Sequence, residues 1–157
     1  MRIAVLDLGT NTFHLIIADS SEKGYDIVRR KRVFMQIGRG IEDGYFTSQC
    51  ELRILSVISE FSRQMREEGV EYSLAVGTSA FRRAENAFQI LDRILESTGI
   101  RVEIISGAEE AVLIYEGVRF GGLLGEGLSL LMDIGGGSTE FIIGNREGFF
   151  WRESFEM

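Results

Sequence analysis

The chain has 157 residues, 45% of them apolar and 26% charged, the balance of a globular domain with a core rather than a disordered segment. A net charge of −7 argues against a general nucleic-acid binder, which carries a basic face, so no DNA partner is expected and any polyanion must be held by local donors, metal ions and a few arginines. A single cysteine excludes an intrachain disulfide framework, no apolar run reaches the ~18 residues of a membrane span, and no signal peptide precedes Ile3; a cytoplasmic protein with no membrane partner is expected.

Residues 2–8 and 13–19 are aliphatic, β-branched runs broken by the turn from Gly9 to Asn11, and they read as short buried strands. Residues 25–35 alternate loosely and make a third, so the chain opens as an antiparallel β-meander. The cations Arg29 to Arg32 fit a solvated strand at a sheet edge, and Gly38-Arg39-Gly40 with Asp43-Gly44 marks a loop. Thr47 is placed to cap a helix with Leu52, Leu55, Ile58, Phe61, Ser62 and Met65 on one stripe and Gly69 at its end; Cys50, with no Cys or His nearby to share a zinc ion, is a residue of its first turn. Tyr72 to Val76 is a strand. A second helix covers 86–98, with Phe88, Leu91, Ile94 and Leu95 inward and Gly99 closing it. Val102 to Ile105 is a strand, and a third helix runs from about Glu109 to Val118. Residues 128–133, 138–144 and 148–155 then repeat the opening meander.

This order predicts an α/β fold. A first domain over residues 1–125 has a mixed sheet, its antiparallel meander followed by α-β-α-β-α, and residues 126–157 are the opening strands of a second, similar domain. That second copy has no helices of its own to cover Phe149, Phe150, Trp151 and Phe155. The expectation is therefore a fragment, one whole domain plus the first strands of another, with a homodimer as the alternative cover for the bare strands.

The chemistry is concentrated in two strings that are nearly the same. Asp7 to Asp19 reads DLGTNTFHLIIAD, and Asp133 to Asn145 reads DIGGGSTEFIIGN, 126 positions later. Each places an acidic residue at the end of an apolar run, then a glycine turn with hydroxyls, then a second apolar run. Gly9, Gly135, Gly136 and Gly137 make tight turns whose bare backbone lets a phosphate oxygen approach the N–H groups, with Thr10, Asn11, Thr12, Ser138 and Thr139 as further donors. Asp7 and Asp133 are the candidate metal ligands. His14, the only histidine, alternates with Phe13 inside the first hairpin and reads as a strand residue rather than a catalyst.

The paired strings resemble the phosphate motifs of the actin/Hsp70/sugar-kinase superfamily, and most closely the exopolyphosphatase/guanosine pentaphosphate phosphohydrolase (Ppx/GppA) family. Gly77-Thr-Ser-Ala-Phe-Arg82 with Asn86, and Ile105-Ser-Gly-Ala-Glu-Glu-Ala111, follow in the same family's order. The resemblance implies an actin-like ATPase (ribonuclease H-like) domain and a phosphoanhydride hydrolase. Its substrate would be inorganic polyphosphate or the 5′ γ-phosphate of guanosine pentaphosphate, and a divalent metal, Mg²⁺, would assist.

Within that resemblance Glu110 is the general base that activates water, Glu140 lies near the metal and the water, and Arg82 contacts phosphate through its forked guanidinium. Glu109 is assigned to the helix macrodipole. Many relatives read Arg-Leu-Gly-Glu-Gly where this chain has Gln36-Ile-Gly-Arg-Gly40, so a cation has left one position and Arg39 supplies one nearby. Two other functions stay open: an ATP-dependent kinase or activator ATPase of the same superfamily, and a non-enzymatic binding or assembly module. Lacking most of one domain, the 157-residue piece is expected to hydrolyse little by itself.

Overall fold

Strand β1 (Arg2–Leu8) alternates in burial: Ala4, Leu6 and Leu8 are buried, while Val5 and Asp7 are exposed. Burial on one face only differs from the fully buried strand expected of a continuous apolar run. The reason is that the helices of this part of the chain share one core with a single face of the sheet. β2 (Thr12–Ser21) returns antiparallel to β1, and β3 (Gly24–Phe34) pairs antiparallel with β2 as the outer strand. The cations Arg30, Lys31 and Arg32 are exposed on that outer strand, and Arg29 is ion-paired with Glu68.

The computed structural model describes residues 1–22 and 24–157, and they divide into two compact units, Met1–Ile104 and Ile105–Met157. In the first unit the loop expected after β3 is more ordered than its glycines suggest. Ile37–Gly40 is a 3₁₀ turn, and β4 (Ile41–Glu42) and β5 (Tyr45–Phe46) form a small hairpin. Asp43 and Gly44 both have positive φ, 49° and 85°, the pair of left-handed residues that a two-residue hairpin turn requires.

Helix α1 (Ser48–Glu67) starts at Thr47, whose hydroxyl accepts the Cys50 N–H, and stops at Gly69, whose φ of 68° suits glycine. Its buried stripe is Cys50, Ile54, Ile58, Phe61 and Met65. Leu52, expected inward, is 69% exposed. β6 (Tyr72–Gly77) and β7 (Val102–Ile104) extend the sheet in parallel beyond β1, giving the order β3-β2-β1-β6-β7.

Between them lie α2 (Ser79–Arg83), a single turn that the sequence reading did not separate, and α3 (Ala87–Thr98), closed by Gly99 at φ 76°. α3 buries Ala87, Ile90, Leu91 and Ile94, and leaves Phe88, expected inward, 71% exposed. Both phase errors come from counting large apolar residues. The core takes in Ile54 of α1 and Ile90 of α3 instead, with the small Ala87 of α3 buried in the same cluster.

In the second unit α4 (Gly107–Phe120) covers a three-stranded antiparallel sheet, β8 (Ser129–Ile134), β9 (Ser138–Gly144) and β10 (Phe149–Glu156), in the order β10-β9-β8. The chain therefore divides before α4 rather than after residue 125, and the closing meander is not without a helix. Ala111 and Tyr115 pack on Ile142 and Leu124, and the Tyr115 hydroxyl donates to the Asn145 carbonyl at 2.7 Å. The other face carries exposed Leu130, Met132, Ile134 and Phe155; of the four aromatics expected bare, Phe150, Trp151 and Phe155 are exposed and Phe149 packs against Tyr115. Among the described residues no helix is long and apolar enough to cross a membrane.

The phase of α1 has a direct test in urea unfolding. Ile54→Ala should cost about 2–5 kcal/mol, the range for a buried aliphatic truncation, whereas Leu52→Ala should change stability by less than about 0.5 kcal/mol. Equal losses would put α1 in the wrong rotation.

Candidate functional site

The repeat seen in the sequence is a repeat of hydrogen bonds. The Gly9 N–H donates to the Thr12 carbonyl at 3.1 Å, and the Gly135 N–H donates to the Ser138 carbonyl at 2.9 Å. A Cβ built on either glycine would lie 3.0 Å from that same carbonyl oxygen, so each turn closes tightly only around a hydrogen at this position. The Gly9 and Gly135 N–H groups are spent inside the turns and are not donors for a ligand. The acidic residues stand in matching places as well. Asp7 is exposed near the end of β1 and Asp133 near the end of β8, each two residues before the turn glycine.

In the first unit the turn is anchored from three sides. β1 and β6 run parallel with Leu8 beside Gly77, so the Gly9 turn and the Thr78–Arg83 segment leave the sheet side by side at the carboxyl ends of their strands. That is the edge where open α/β sheets bind ligands. Thr10 is buried and its Oγ1 accepts the Ala80 N–H at 3.1 Å, tying the turn to α2. A Cβ on Gly77 would lie 3.0 Å from the Phe81 ring, which explains glycine there. Arg82, on α2, is half-buried, and its backbone N–H donates to the Thr78 carbonyl at 3.1 Å.

The third anchor is the Gln36–Gly40 loop. The Met35 and Gln36 N–H groups donate to the Asn11 carbonyl at 2.7 and 3.0 Å, and Ile37 N–H to the Thr10 carbonyl at 2.8 Å. Thr12 stands at the start of β2, half-buried, and Asn11 is exposed.

The second unit sets two carboxylates and a hydroxyl in one row across its sheet. Asp133, Glu140 and Ser154 pair across β8, β9 and β10 in a single row. Glu140 is only 1% exposed and accepts a hydrogen bond from the Ser154 hydroxyl at 2.8 Å, a partner that offsets part of the cost of burying a carboxylate. In the next row, Arg152 pairs with Ile142 and donates from Nε to the Ala108 carbonyl at 3.1 Å. This fixes the first turn of α4, which carries Glu110, over the face that holds Glu140. Ser138 is buried, Thr139 half-buried, and Gly135 and Gly136 are exposed at the turn. Ser154 escaped sequence reading because only strand register shows what stands opposite Glu140.

Glu109 and Glu110, adjacent in sequence, are separated by geometry. Glu109 accepts from the Ser106 N–H and hydroxyl, both at 2.8 Å, while the Glu109 N–H donates to Ser106 Oγ at 3.2 Å, a complete capping box. The Ser106 N–H, and then its hydroxyl, hold the Glu109 carboxyl below the usual carboxylate range. Glu110 takes no part in the box.

The two Asp-bearing rows also differ in a telling way, since Asp7 faces His14 across its hairpin where Asp133 faces Glu140. Among the described residues no three His, Cys, Asp or Glu side chains converge as a metal cage. A single carboxylate beside a phosphate turn nevertheless suits Mg²⁺, which is commonly held by one or two carboxylates plus substrate phosphates and water.

The model of the Ppx/GppA phosphatase family matches residues 16–157. The chain is similar to exopolyphosphatase 1 of Mycobacterium leprae, 33% identical over 144 residues that make up 89% of this chain and 42% of the relative. It is also similar to the guanosine-5'-triphosphate,3'-diphosphate pyrophosphatase of Vibrio vulnificus, 34% identical over 150 residues, 93% of this chain and 29% of the relative. Among solved structures, an exopolyphosphatase from Cytophaga hutchinsonii superposes with a TM-score of 0.95 at 40% identity, covering 100% of this chain and 51% of that one. The chain thus spans about half the length of that structure, and less of the curated relatives. The actin-like fold expected from the paired strings is the fold of this chain.

Ser106→Ala should destabilise the chain by about 1 kcal/mol at neutral pH in urea melts. Because folding lowers the Glu109 pKa, its half of the box is present above the unfolded carboxylate pKa and is lost as pH falls through the lower folded value. The Ser106→Ala penalty should therefore shrink in acid. A penalty independent of pH would contradict the capping box.

Proposed function

The chain belongs to the Ppx/GppA phosphatase family, and on that premise we propose that it carries the phosphate-binding turns and water-activating group of a phosphoanhydride hydrolase. The substrate class is inorganic polyphosphate or the 5′ γ-phosphate of guanosine pentaphosphate, which share the same terminal anhydride. The observation that supports this reading most is the doubled turn, with the same glycine hydrogen bond and the same preceding Asp in each unit. Phosphoryl transfer asks chiefly for positioning and charge stabilisation, and amides held in a rigid turn supply both without reorganising.

In the proposed reaction a water molecule oriented by the Glu110 carboxylate attacks the terminal phosphorus in line with the bridging oxygen. A P–O bond to water forms, the bridging P–O bond breaks, and the water proton passes to Glu110. Orthophosphate and a chain one unit shorter leave. In the first unit the turn amides and Arg82 are the proposed phosphate contacts, and in the second the turn amides are, with Glu140, buried and bonded to Ser154, helping to fix the water. A divalent cation such as Mg²⁺, when bound, neutralises charge on the phosphate oxygens; Asp7 in the first unit and Asp133 in the second are the carboxylates that would hold one beside each turn.

Phosphate release measured on the whole enzyme tests the base. Glu110→Gln should lower the rate by about 10²–10⁴-fold while polyphosphate binding, followed by calorimetry, stays close to wild type. Activity within a few-fold of wild type would remove Glu110 from the role. Calorimetry with ATP separates the neighbouring reading of an ATP-dependent kinase or ATPase, which requires nucleotide binding that a polyphosphate hydrolase does not.

A further inference from the structure

The Gln36–Gly40 loop does more than brace the first turn. On its outer side lies a cavity of about 310 Å³, at the lower end of ligand-site sizes. Its lining includes Gln36, Arg39, Glu42, Gln49, Cys50 and Arg53, two cations against one anion.

Arg53 and Cys50 are held there by the fold. The Arg53 guanidinium donates to the Phe34 and Met35 carbonyls at 2.7 and 2.9 Å, fixing its charge at the wall with donors left over. Cys50 lies against the Ile37 carbonyl at 3.8 Å, and burial pushes its thiol above the usual value, so it lines the wall as a neutral group. Gln36 adopts a left-handed conformation, φ 50°, which non-glycine residues visit rarely. Arg39, by contrast, is exposed and its charge is presented from the last turn of the 3₁₀ segment.

The same loop touches the phosphate turn on its other side. A Cβ on Gly38 would lie 2.7 Å from Thr10 Cγ2, and three backbone hydrogen bonds join residues 35–37 to Thr10 and Asn11. The turn and the cavity thus share one five-residue segment, residues 36–40.

We propose that this cavity is a subsite for the internal phosphates of a polyphosphate whose terminal phosphate sits at the Gly9–Thr12 turn, with Arg39 as the residue that favours long chains over short ones. This inference rests on the polyphosphate reading above. An exposed arginine lining the cavity suits a repeating polyanion, because any successive phosphate can satisfy it, whereas the turn recognises one end.

Calorimetric titration with inorganic tripolyphosphate and with long-chain polyphosphate tests it. Arg39→Gln, at an exposed position, should leave circular dichroism and melting unchanged, weaken long-chain binding about tenfold and leave tripolyphosphate binding unchanged. Lys31→Gln, which removes the same charge from β3 away from the cavity, should change neither. If Arg39→Gln weakens both ligands equally, or neither, while the wild type binds both, this inference is overturned and the functional reading stands. A wild type that binds neither ligand overturns both.

Discussion

Everything that this chain can do with phosphate depends on a turn that closes around a glycine N–H. At Gly9 and again at Gly135 that N–H is donated to a carbonyl three residues on, and a Cβ would press on the accepting oxygen at 3.0 Å. Closing the turn in this way fixes the backbone that follows the glycine. The electrostatic benefit to a bound phosphate comes from that fixity, since loosely held amides would have to be ordered at the moment of binding.

The rest of the first unit serves to keep the turn in place. Pairing of Leu8 with Gly77 sets two strand ends at one edge, Thr10 bonds to the backbone of α2, and the 35–37 amides bond to the far side of the turn. The second unit repeats the turn but changes what surrounds it. Its Asp faces a buried Glu140 where the first faces His14, and α4 is clamped over the same face by Arg152, with Glu109 absorbed in the cap and Glu110 left in the first turn. One architectural module has thus been used twice. On the proposed reading the two copies share the phosphate grip, and the acid–base groups belong to the second.

Much of this was legible in the residues. The opening antiparallel meander, the two turns, the capping role of Thr47 and the closing glycines Gly69 and Gly99 all follow from local rules that need few long-range contacts. What escaped was set by packing. Leu52 and Phe88 look like core residues by size, yet the helices are rotated so that Ile54 and Ile90 meet the sheet. α4 looked like the last helix of the first unit because alternation of helix and strand continued through it, while its apolar residues in fact fit β9 and β10. Asp43-Gly44 was read as a loop although it is the commonest signal for a tight hairpin, because the strands on either side are only two residues long. The partnership of Ser154 with Glu140 is a matter of register, which no local pattern encodes.

The central claim is that both glycine turns are phosphate sites, and backbone amide NMR reads it residue by residue. Titrating inorganic tripolyphosphate into the labelled chain should move the amide signals of residues 10–12 and 136–138 together, saturably and ahead of the rest of the chain. Shifts confined to the exposed cations of β3, with both turns silent, would contradict the account.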